Sequence, residues 1–241
     1  MQSQDVSTNN QRFNLTISEQ FVYLIEIITQ NGLDDYFKQH FLYATIGSCF
    51  ADLFMMNKIK LVDNRIVFNN GERTNIRYID RLIDEINAIR EDKTIFDVLM
   101  ALDLERMLEI ESMINDALIK KKLLYEKREG FLMFGKKVIT PIKNDYSKQL
   151  IDEIRTSLDS SQEPDQSLLY LLAVLKPLDI LPNFYESLKE LDFGKKRMES
   201  LIEYHHDAKM ILRAIENQIK LKDLEHMPKQ KGTNLGMGGR L

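Results

Sequence analysis

Glu203 and His206 stand three residues apart in Glu203-Tyr204-His205-His206-Asp207, a spacing that puts two side chains on one face of a continuous helix. Di-iron bundles draw ligands in that pattern, but they need it twice, with two further carboxylates from other helices. No second copy occurs in the chain, and a solvated polar stripe on an amphipathic helix accounts for these residues. His40 falls in an apolar helical stretch, where a core histidine is the commoner role. Cys49, the one cysteine, lies between Ser48 and Phe50 with no basic neighbour to lower its pKa, and it reads as buried packing. Gly236-Met237-Gly238-Gly239 lacks the preceding strand and following helix that let a glycine loop cradle phosphate. There is no His-Glu-x-x-His, no nucleophile elbow and no cysteine pair at zinc spacing. The expectation is therefore a protein without a catalytic site, metal or cofactor.

A stronger signal is charge. Lys120, Lys121, Lys122, Lys127, Arg128, Lys136 and Lys137 gather around Arg128-Glu129-Gly130, where two extended runs meet. Near anionic lipid each such cation contributes about 1 kcal/mol, and Phe131-Leu132 beside the turn adds apolar groups able to insert. The competing reading is that the lysines solubilise an exposed hairpin while Phe131 and Phe134 cover the core or a second subunit. Composition alone favours the latter.

The elements that position these residues follow from periodicity. Thr16-Ile17-Ser18-Glu19 has the form of a capping box, and Phe21, Leu24, Ile25 and Ile28 then recur at helical spacing. A stretch from about Asp34 to Asn57 is apolar on most faces, which predicts a central helix. Ile59 to Val62 and Arg65 to Phe68 are β-prone and joined by Asp63-Asn64, a pair that tolerates a tight hairpin turn. Three helical patterns follow, then a second hairpin from Lys122 to Lys127 and Phe131 to Val138, with Gly130 suited to its left-handed position. Beyond Pro141 the pattern is helical again, including one long stretch from Arg197 to Leu221. The predicted fold class is mainly α: a single-domain multi-helix bundle over residues 14–222 with two short β-hairpins, the second protruding. Residues 1–13 and 223–241 are expected to be flexible tails. Helix, Lys-rich junction and hairpin occur twice, near residues 50–68 and 105–138, a weak internal echo.

Of 241 residues, 44% are hydrophobic, enough for a proper core, and no run approaches the length a spanning helix needs. A net charge of −4 and a pI near 5.7 argue against charge-driven nucleic-acid binding. A lone cysteine and a polar start point to a reducing cytoplasm, with any membrane contact peripheral.

The order of these features resembles the Golgi phosphoprotein 3 family, peripheral membrane adaptors. The similar segments are Leu15-Thr16 with Glu19, Asp52-Leu53 followed by Lys58 to Leu61, and Leu118 to Leu124. Gly130-Phe131-Leu132-Met133-Phe134 and Thr140-Pro141 continue the series, and Leu168-Leu169, Leu171, Asp179-Ile180-Leu181 and Asn183 look like the family's later helix pair. The resemblance spans roughly residues 14–190. It implies a helical domain with a protruding hairpin, a phosphatidylinositol 4-phosphate pocket beside it, and no enzymatic activity. The family's pocket tryptophan falls on Phe37, and its arginines fall on Ile46, Leu108 and Glu111. Isoleucine and leucine offer a phosphate monoester no charged donor, and glutamate repels it. The departures imply a distant member with a degenerate headgroup site, and the missing basic N-terminal arm, where only Arg12 stands, implies a bacterial one.

The leading expectation is a non-enzymatic peripheral adaptor that meets an anionic membrane or phosphoinositide, with protein partners or self-association and no nucleic acid. A structural oligomer without lipid binding is the main alternative. A winged-helix-like nucleic-acid binder is the third, opposed by the acidic pI.

Overall fold

Thr16 Oγ1 accepts from the Glu19 amide at 3.2 Å, and the Glu19 carboxylate accepts from the Thr16 amide at 2.9 Å, so the capping box forms as its spacing predicts. It starts α1 (Ile17–Ile28), whose residues Phe21 to Ile25 are all buried. The structure is a computed structural model that describes residues 14–29, 35–69, 73–90, 92–129, 136–142 and 144–226. Residues 1–13, most of the expected C-terminal tail, and Gly130, Phe131, Leu132 and Phe134 at the second turn lie outside the described residues.

Helix α2 (Asp35–Met55) is buried at every position from His40 to Phe54, which is why its sequence lacks a polar face. Its hydroxyls stay satisfied within the helix: Thr45 Oγ1 donates to the Phe41 carbonyl at 2.8 Å and Ser48 Oγ to the Thr45 carbonyl at 2.6 Å. Gly47 lets a late helix approach closely, since a Cβ there would stand 2.5 Å from Ile215 Cδ1.

Strands β1 (Ile59–Val62) and β2 (Arg65–Phe68) pair antiparallel, Val62 opposite Arg65. Asp63 and Asn64 both have positive φ, 51° and 64°, as a two-residue hairpin turn demands. Helices α3 (Arg77–Ala88), α4 (Ile95–Ala101) and α5 (Leu104–Lys120) come next. Side chains fix the starts of α4 and α5: Thr94 forms a second capping box with Asp97, and Asp103 accepts from the Arg106 amide. Strands β3 (Leu124–Glu129) and β4 (Lys136–Pro141) form the second hairpin, in register from Leu124 with Pro141 to Glu129 with Lys136. Helices α6 (Asp145–Asp159), α7 (Gln166–Leu175), α8 (Leu188–Glu203) and α9 (His206–His226) complete the order.

The internal echo has a geometric counterpart. Asn57 and Lys122 both adopt left-handed φ, 52° and 60°, just after α2 and α5. The next amides, of Lys58 and Leu123, reach back to the carbonyls of Leu53 and Leu118, each at 2.9 Å. These are paired Schellman ends. Each then launches a hairpin whose first strand residue, Ile59 or Leu124, is buried.

Two expectations are revised. The stretch from Arg197 to Leu221 is not one helix, because α8 stops at Glu203 and α9 restarts at His206, with the His205 carbonyl accepting from the Lys209 amide. Met198, Leu201 and Ile202 bury one stripe and Ala208, Ile211 and Ile215 another, so the chain turns to set both on one core. Of the expected later helix pair, Leu168, Leu169 and Leu171 lie in α7, whereas residues 179–183 form no second α-helix: 3-10 turns occupy Lys176–Leu178 and Leu181–Asn183, with Asp179 at φ 46° between them. All these elements share one hydrophobic cluster, a mainly α single domain with two small antiparallel hairpins.

Candidate functional site

The second hairpin leaves the core abruptly. Leu123 and Leu124 are buried at the root, whereas Tyr125, Glu126 and Lys127 are all exposed. The Leu123 carbonyl accepts from the Ile142 amide at 2.8 Å, which closes the root as a clamp. Lys120 and Lys122 are exposed at the same end of the molecule. Register sets Lys127 opposite Val138, Arg128 opposite Lys137 and Glu129 opposite Lys136, so the basic positions run on along both strands.

The four positions that match the family's headgroup pocket are not equivalent. Phe37 is half-buried in the first turn of α2, and Leu108 is half-buried on α5. Ile46 is fully enclosed within the core. Glu111 accepts from Asn115 Nδ2 at 2.8 Å, and burial raises its pKa despite Asn115 and nearby Lys38. Glu26 on α1 is pushed up to about 7, first by burial and then by Glu111. Glu26, Glu111 and Lys38 thus interact with one another beside these positions, and burial favours the protonated form of both carboxyls.

A second constellation was invisible in the sequence. A cleft of about 590 Å³ lies among the start of α1, the end of α2, the start of α3 and one face of α5. At its polar end the Asp52 carboxylate accepts from the amides of Ile17 at 2.6 Å and Ser18 at 3.2 Å and from the Ser18 hydroxyl. Burial pushes the Asp52 carboxyl up to about 6 against the opposing pull of Ser18, the Ile17 amide and Thr16. Tyr78 shares a 2.9 Å hydrogen bond with Thr16 Oγ1, and burial, with Glu19 and Asp52 nearby, raises its hydroxyl pKa. Lys121 donates to Glu19 at 2.6 Å and to the Asn14 carbonyl at 3.0 Å. The amides and carboxylates at the α1 start are therefore fully engaged. The capping box was legible, but Asp52 reaches it from 35 positions away.

The residues with chemical potential in isolation behave otherwise. Glu203 ends α8 and pairs with Lys209, while His206 begins α9, so the Glu-x-x-His spacing does not lie on one helix. His205 Nε2 lies 2.6 Å from Glu163. His40 is buried against the Tyr36 ring, with Nε2 3.4 Å from Asp223. Cys49 is fully buried, and burial followed by Asp52 raises its pKa well above the usual thiol value. Among the described residues no group of three or more His, Cys, Asp or Glu is placed to hold a metal.

Fold and site together define a mainly helical protein with a basic protruding hairpin. The chain belongs to the Golgi phosphoprotein 3 (GPP34) family, whose model matches residues 22–219. No curated protein matches it in sequence. Among the described residues no helix is long and apolar enough to cross a membrane.

Proposed function

We propose that the protein is a non-enzymatic adaptor that rests on an anionic membrane surface through the β3–β4 hairpin, without a specific phosphoinositide site. The observation that carries this reading is the abrupt passage from buried Leu123-Leu124 to exposed Tyr125 and Lys127, flanked by Lys120 and Lys122. The clamped root lets the exposed part of β3 meet a surface without unfolding anything. Glu111 at one of the positions where the family carries an arginine, with Glu26 beside it, supports loss of the headgroup site. Phe131 and Leu132, next in sequence after Gly130, supply the apolar insertion.

Flotation with vesicles rich in phosphatidylserine tests this reading, comparing wild type with the variant carrying Phe131→Ser and Leu132→Ser. Wild type floats and the variant remains at the bottom; equal flotation of both, or of neither, refutes docking by this hairpin. Adding phosphatidylinositol 4-phosphate at constant total charge leaves wild-type flotation unchanged if the headgroup site is lost.

One observation favours a second reading. The β3–β4 pair is a two-stranded sheet with no third strand on either edge among the described residues, and such edges recruit strands from other chains. Light scattering distinguishes this self-association: a monomer at high concentration excludes it, and a dimer lost in the double variant supports it.

A further inference from the structure

The cleft between α1, α2, α3 and α5 has an apolar wall and a charged mouth that share only Lys120 with the hairpin reading. Met55 and Met56 at the end of α2, Ile76 before α3 and Met113 on α5 line one part of it. Methionine thioethers are flexible and polarisable, so such a wall adapts to chains of varied shape. Met55 remains 43% exposed, a large apolar side chain left without cover beside a concavity.

The charges at the mouth are unequally committed. Of the lining carboxylates, Glu19 is held by Lys121, and Asp52 is held by the α1 amides and the Ser18 hydroxyl. Arg77 and Lys120 also line the cleft, both exposed, and neither forms an ion pair among the described residues. Asp116 stands one turn before Lys120 on the same face of α5 and is exposed without an ion pair of its own. The lining as a whole is balanced, Arg77, Lys120 and Lys121 against Glu19, Asp52 and Asp116, but Arg77 and Lys120 are the two cations that no ion pair among the described residues engages. The amides of the α1 start are satisfied internally, so they do not serve as anion donors, and any anion must meet these side chains.

We propose that this cleft binds a single-chain anionic amphiphile, with its hydrocarbon tail along Met55, Met56, Ile76 and Met113 and its anionic head between Arg77 and Lys120. The volume of about 590 Å³ lies inside the range of small-ligand sites, and the division into one apolar wall and one polar end matches a ligand with a tail and a head. A free inorganic anion leaves the methionine wall exposed, and a neutral chain leaves the two cations unanswered. No residue of β3 or β4 lines the cleft, so a dissolved amphiphile occupies it without any bilayer.

Isothermal titration calorimetry with decyl phosphate below its micelle concentration tests the proposal on the full chain. Decyl phosphate binds saturably at one site per chain, while inorganic phosphate and neutral decyl maltoside each bind at least about tenfold more weakly, as expected when tail and head both contribute. Combining Arg77→Glu with Lys120→Glu weakens decyl phosphate binding by at least about tenfold, and thermal unfolding of this variant stays near wild type because both side chains are exposed. Met56→Trp, which fills the apolar wall, is a second and charge-neutral way to lose binding. The proposal is overturned if decyl phosphate does not bind saturably, if inorganic phosphate or decyl maltoside binds equally well, or if both variants retain wild-type affinity.

Discussion

The Asp52 carboxylate accepts from the Ile17 amide at 2.6 Å, so the central helix α2 caps the start of α1 across 35 positions of sequence. With the Ser18 amide on the same carboxylate and the Glu19 amide on Thr16, the first three amides of α1 are all satisfied from outside the helical ladder. One buried side chain thereby joins two helices of the core and closes one end of the cleft.

Removing that carboxylate leaves two buried amides without partners and the Ser18 hydroxyl with Thr16 Oγ1 alone. Asp52→Ala is expected to cost about 2–4 kcal/mol, because unsatisfied buried donors carry their full desolvation penalty. Urea denaturation measures it, and a loss under about 0.5 kcal/mol would show that the cap is dispensable.

Glu26 and Asp52 have carboxyls raised in the folded state, to about 7 and about 6, so each binds its proton more tightly folded than unfolded. Their stabilising contribution is complete below the ordinary carboxylate range and is lost as pH rises through those folded values. Glu26→Gln removes the loss at that position. It is expected to stabilise the protein by about 2 kcal/mol at pH 8 relative to wild type, with the advantage vanishing near pH 4. Denaturant midpoints across that pH interval test the sign, and an advantage greatest at low pH would contradict it.

Lys122 holds a left-handed φ of 60° at the Schellman end of α5, where a side chain with a Cβ is strained. Lys122→Gly is expected to stabilise the fold by about 0.5–1 kcal/mol while removing one cation beside the hairpin. The corresponding change at Asn57 should gain less, because asparagine tolerates that conformation. A stability gain accompanied by weaker vesicle binding separates the two roles of this lysine.

What was legible in the sequence was what depends on near neighbours. Thr16 with Glu19 and Asp63 with Asn64 announce a helix start and a hairpin turn because the groups that interact lie within a few residues. The apolar run from His40 to Phe54 shows α2 to be central because no polar face interrupts it. The break between Glu203 and His206 was not legible, since no glycine or proline marks it and the need to bury two separate stripes decides it. The cleft was hidden for the same reason. Met55, Ile76 and Met113 belong to three segments that only tertiary packing brings together, and Asp52 shows its purpose only beside α1. The coupling of Glu26 on α1 to Glu111 on α5 likewise emerged only from packing.

Membrane docking by the second hairpin is tested most directly by a reporter at its turn. The chain contains no tryptophan, so Leu132→Trp introduces a single fluorophore beside Phe131. On addition of phosphatidylserine-rich vesicles its emission should shift to the blue and be quenched by lipids brominated along the acyl chains, with neither effect on neutral vesicles. Unchanged emission and no quenching with anionic vesicles would contradict insertion of this hairpin.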